Sequence, residues 1–156
     1  MGNYRDIEKD FIERTIRLIN QYNENVHKYE FAEQFNYTLT INCLLGLIVM
    51  PKERVITYVP NDRLTTQYKE EIGLPTSEIG EGIETLRDLI YQLRHAVAHF
   101  NINVISESPE NLIDWVEFID QENNNRLIAK LRAIEILPFL KHYSHCLLTN
   151  LNNYRN

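Results

Sequence analysis

The residues best equipped for chemistry stand close together. Arg94, His95 and His99 fall within six positions, at the end of a stretch that also carries Asp88 and Gln92. An imidazole titrates near pH ~6.5 and can take or give a proton. A guanidinium stays charged and grips phosphate oxygens through paired hydrogen bonds. Together they suit phosphoryl transfer without a metal, with one group for the proton and one for the developing negative charge. The same residues allow a metal site. His95 and His99 sit four apart, a spacing that can hold zinc on one helix face. Asp88 or Gln92 would have to supply a further ligand. No glutamate lies between the two histidines and no cysteine is near, so the expectation is no metal and no cofactor.

These residues need a rigid support. Leu86, Leu89, Ile90, Leu93, Val97 and Phe100 recur at steps of three and four, which predicts a helix over Leu86–Phe100 with one buried face. Asp88, Gln92, His95 and His99 form a second stripe. Residues five apart on an ideal helix point about 140° from one another. Arg94 and His99 therefore cannot stack on one stripe. They converge if the helix end loosens, or if a pocket wraps the helix, as when two copies pair about a two-fold axis. Structural roles compete. Arg94 could pair with Asp88 or Glu84, and His99 could bond free carbonyls at the helix end. His95 fits a structural role better than a chemical one. His142 and His145 read as surface or interface residues, and Trp115 as a packing residue.

Before this helix, a first helix is expected from a cap at Asn3 to about Asn25. Its inner face would be Ile7, Phe11, Thr15, Leu18, Ile19 and Tyr22. A second should run from Tyr29 to Met50, apolar nearly all round from Ile41 and stopped by Pro51. Asn61 or Asp62 could cap a short helix that ends at Gly73. After Phe100 the period changes. Asn101–Ile105 and Ile113–Asp120 read as a hairpin. Asn123–Asn125 should start a last helix, Leu127–Leu151, which Pro138 would kink or divide. The expected architecture is mainly α: one domain, 1–156, a bundle of four to five helices with a small β-hairpin after the motif helix.

The chain of 156 residues is 44% hydrophobic and 24% charged, an ordinary globular composition. Its net charge of −6 gives no global field to draw in nucleic acid. Binding RNA would need a local basic site, or one assembled between subunits. Cys43 and Cys146 read as buried apolar residues of a reducing compartment. The first residues are charged, unlike a signal peptide. The most apolar run, Ile41–Met50, is half the roughly 20 residues that span a bilayer. A cytoplasmic protein that does not enter a membrane is expected.

The run LRDLIYQLRHAVAHFN, residues 86–101, places a polar residue directly after Arg94 and a histidine five positions after it. This resembles the motif of the HEPN domain superfamily: Arg, then Asn, Asp or His, then three to five residues, then His. The wider run is similar to the small prokaryotic branch, in which a hairpin can follow the motif helix. The resemblance implies a helical bundle that forms a homodimer, with two motifs meeting in one cleft. It also implies a metal-independent endoribonuclease of a bacterial defence or toxin–antitoxin system, with RNA as substrate. Arg94 and His99 would then be catalytic. His95 would orient Arg94 or the substrate. Asn101 would cap the helix end or touch substrate. Some HEPN toxins carry a tyrosine two residues after the motif histidine, which a partner nucleotidyltransferase modifies. Asn101 takes that place here, which argues against that route, while an antitoxin or a nucleotidyltransferase stays open as a partner. The alternative is a non-catalytic HEPN module that binds nucleotide, RNA or protein.

Overall fold

The computed structural model describes residues 4–51, 56, 57, 59–107, 109 and 112–153. Helix α1, Ile7–Asn25, starts at Asp6, whose carboxylate accepts from the Lys9 N–H. The cap expected at Asn3 lies outside the described residues. The buried residues of α1 are Ile12, Thr15 and Ile19, while Ile7 and Leu18 are exposed. Its inner face is thus rotated from the expected one. The predicted helix Tyr29–Met50 is shorter than expected. A 3-10 turn at Phe31–Glu33 precedes α2, Asn36–Val49. Helix α3, Thr66–Glu71, is capped by Thr65 rather than by Asn61 or Asp62. Gly73 follows at φ +84°, a left-handed residue where a Cβ would strike Pro138.

The organising helix is α4, Leu86–Ala98. Thr85 and Asp88 form a reciprocal capping box at its start. Leu86, Leu89, Ile90, Leu93 and Ala96 are buried along its inner face. The helix packs on α2 with one side and on a sheet with another. That sheet is larger than the expected hairpin. Strands β1 (Glu78–Ile79), β2 (Ile102–Ile105), β3 (Trp115–Asp120) and β4 (Arg126–Arg132) form one antiparallel sheet in the order β1-β4-β3-β2.

Strand β4 occupies the first part of the expected last helix. Asn124 and Asn125 do not start a helix. Both adopt left-handed conformations, φ 54° and 55°, and turn β3 back into β4. Helix α5, Ala133–Asn153, follows directly and runs unbroken through Pro138. The core joins both layers. Leu44, Leu47 and Ile48 from α2 pack with Phe118, Ile128 and Leu131 from the sheet and Phe139, Tyr143 and Leu147 from α5 in one buried cluster. Among the described residues no helix is long and apolar enough to cross a membrane.

Candidate active site

The end of α4 is built by its backbone. The Phe100 N–H donates to the Val97 carbonyl (3.1 Å) and the Asn101 N–H to the Ala96 carbonyl (2.8 Å). This paired closure demands a left-handed residue between His99 and Asn101, a place that favours glycine. Phe100 holds it instead, at φ 56°, with 80% of its surface exposed. The expectation that Phe100 completes the buried face is therefore wrong. Its strained backbone turns the ring outward, beside the motif. Asn101 is buried. Its N–H closes the helix and its carbonyl accepts from the Ile119 N–H (3.1 Å), tying α4 to β3.

His99 is exposed and lies against His95, with ring centroids 4.6 Å apart. His95 Nε2 stands 4.0 Å from Glu122 Oε2. Glu122 comes from the 3-10 turn Gln121–Asn123 between β3 and β4. The rest of the stripe is also engaged by this hairpin. Arg126 donates to Gln92 Oε1 (3.2 Å) and to Asp120 Oδ2 (3.4 Å). Hydrogen bonds from Asn123 hold the Asp120 carboxyl below its usual range, and Arg126 adds to that against the opposing effect of burial. Asp88 belongs to the capping box and is two helical turns from this cluster.

Arg94 points elsewhere. Its Nη1 donates to the carbonyls of Ile48 (2.9 Å), Pro51 (3.0 Å) and Val49 (3.3 Å), the open end of α2. These acceptors are what a cation at a helix C-terminus satisfies. Arg87, seven residues earlier and so on the same side of α4, grips the Val59 carbonyl through Nε and Nη2. The two arginines pin the chain that leaves α2. Neither Asp88 nor Glu84 is the partner of Arg94. The bonds of Arg94 use Nη1 and leave Nε and Nη2 out of them. Its charge also reaches the buried Tyr143 hydroxyl, which burial pushes well above the usual tyrosine range.

Within one copy of the chain, then, His95 and His99 come together while Arg94 serves the far side of the helix. The sequence offered no sign of Glu122, Asp120 or Arg126. They flank Asn123–Asn125, where a helix start is expected and the chain instead turns from β3 into β4.

Two apolar hollows open on the surface, and only one of them borders the motif. One, of about 270 Å³, is lined by Ile41 and Leu45 of α2, Ile102 and Val104 of β2, Ile113 and Phe100, so it adjoins His99. The other, of about 230 Å³, lies between Phe11, Met50, Pro51 and Leu151, and no motif residue lines it. Trp115 carries Lys130 over its ring at 4.8 Å, so it packs within the sheet surface. Burial raises the thiols of Cys43 and Cys146, which makes them poor nucleophiles.

Over residues 1–154 the chain matches the family model described as HEPN pEK499 p136. No curated protein and no solved structure matches it. With an Arg-x4-His motif closing the central helix and a family match along nearly its whole length, this chain belongs to the HEPN family.

Proposed function

We propose that the chain is a metal-independent endoribonuclease acting as a homodimer, in a bacterial defence or toxin–antitoxin system. Family membership supports a ribonuclease-like or nucleotide-binding module. The observation that carries the finer reading is the pair His95–His99, the first half-buried and the second exposed, two imidazoles 4.6 Å apart at the end of the motif helix. RNA cleavage by its own 2′-hydroxyl needs a base for that hydroxyl and an acid for the leaving oxygen. His99 is the more exposed ring and takes the first role. His95, or His99 of a second copy, returns the proton. Arg94 holds α4 against the end of α2 with Nη1, on the side of the helix away from its own histidines. In this reading Nε and Nη2 therefore stabilise the phosphorane charge across the dimer, at the histidines of the second copy.

Support for the dimer comes from the hollow beside Phe100. An exposed phenylalanine, the half-open apolar wall of α2 and Val104, 56% exposed, make a patch that adjoins His99. A second copy seated there brings two motif helices toward one groove. Asn101 acts by fixing the helix end rather than by touching RNA.

The engagement of Arg94 by three carbonyls favours the second reading, a non-catalytic module that binds nucleotide or RNA at the histidine face. Purified protein with a labelled single-stranded RNA in EDTA separates them. Cleavage leaving a 2′,3′-cyclic phosphate is expected. Binding without cleavage overturns the nuclease reading and leaves the module.

A further inference from the structure

We propose that His95, His99 and Glu122 form a binding site for one divalent transition-metal ion of the zinc class. The ligand atoms of the three side chains all lie within 4.8 Å of one another, and His95 Nε2 is 4.0 Å from Glu122 Oε2. Two imidazoles and one carboxylate are the three-ligand set of open zinc sites, with Zn–N about 2.0–2.1 Å. Tetrahedral geometry at that bond length puts ligand atoms about 3.3 Å apart. The three atoms must therefore close by roughly an ångström, a shift that exposed side chains make by rotation. Glu122 is 72% exposed at its side chain, and His99 is exposed. Both are free to change rotamer without disturbing the core.

The supports differ in origin, which makes the site more than a helical pair. His95 and His99 stand on successive turns at the end of α4. Glu122 stands on the β3–β4 turn, which is tied to α4 through Arg126 and Gln92. The Arg126 charge is directed at Asp120, not at Glu122. Three ligands leave a fourth position for water or an external anion.

Under the nuclease reading the ion has a consequence. It occupies the ring nitrogen that His99 needs for proton transfer, so it acts as an inhibitor rather than a cofactor. Binding itself does not depend on that reading.

The test is calorimetric titration of the metal-free protein with zinc chloride, and with cobalt chloride followed by absorption. A single ion per chain is expected, without a thiolate charge-transfer band. Glu122→Ala should weaken it about tenfold or more, and His99→Ala should do the same, while His142→Ala should leave it unchanged. In the cleavage assay zinc should inhibit the parent protein and spare Glu122→Ala. Equal affinity in Glu122→Ala and the parent, a thiolate band, or loss of binding in His142→Ala overturns the site. Zinc binding with no RNA cleavage under any condition removes the nuclease reading and leaves the site standing.

Discussion

Replacing Arg94 by alanine should weaken the fold as well as any chemistry, and the size of the loss follows from its bonds. Nη1 carries two hydrogens but faces three carbonyls, so the Val49 contact at 3.3 Å shares a hydrogen with one of the shorter bonds. Two effective charge-assisted bonds remain, each worth about 1.5–3 kcal/mol when fully shielded. The side chain is half-buried, so water replaces part of this in the variant. The cation also opposes the negative end of α2, worth about 0.3–1 kcal/mol. A net loss of about 2–3 kcal/mol is expected. For a chain of this length it corresponds to a fall in Tm of about 4–12 °C. Arg94→Lys keeps a charge and donors on one nitrogen and should recover about half. Urea unfolding followed by circular dichroism measures the loss, and the slope of the transition should not change. Amides in the last turn of α2 should also exchange faster in Arg94→Ala. Unchanged stability in Arg94→Ala would show that these carbonyl bonds do not hold the end of α2. It follows that a lost activity in this variant identifies a catalytic arginine only at matched folded fraction.

Three further outcomes follow from other parts of the fold. Burial alone would raise Glu135, but hydrogen bonds from the side chains and amides of Ser77 and Thr76 more than reverse this, so its folded pKa is lowered. Its contribution is therefore full above the unfolded carboxyl value of about 4.3 and is lost as pH falls through the lower folded value. Glu135→Gln should cost about 2 kcal/mol at pH 7 in urea unfolding, with the difference shrinking in acid; equal curves would refute it. Phe100→Gly relieves left-handed strain worth about 1 kcal/mol but removes the ring on which the proposed second copy sits, so it should lower Tm at high protein concentration and raise it at low concentration. A rise at every concentration would show that no second copy covers the ring. The Tyr143 hydroxyl is buried without a hydrogen-bond partner among the described residues. Tyr143→Phe should thus melt at or slightly above the parent, and a drop of several degrees would reveal a partner.

The apolar stripe of α4 was legible because its packing and its period agree, but the capping box of Thr85 and Asp88 was not, since Asp88 also fits the polar stripe by its spacing. The two hairpin strands after it were legible from β-branched and aromatic runs. Strand β4 was not. Leu127, Leu131 and Ile134 repeat at four and three, which imitates a helix, and Leu131 is buried by the sheet instead. That one misreading also hid the site. Asn124 and Asn125 close a turn, and the turn delivers Glu122 and Arg126 to the histidine face. The partner of Arg94 was equally invisible. Its carbonyl acceptors lie more than forty residues away, and no side-chain pattern signals a backbone acceptor. Phe100 shows the opposite limit. Its spacing suits a core position, but it falls one residue past the helix cap, where the chain has already turned left-handed.

The most direct measurement is single-turnover RNA cleavage in EDTA by His99→Ala, at the same folded fraction as the parent. His99 is exposed and anchors nothing in the core, so its loss should leave Tm in place. The cleavage rate should fall by about 10²-fold or more. A parent that cleaves and a His99→Ala variant that cleaves equally fast would contradict the assignment of His99 as the proton-transferring group.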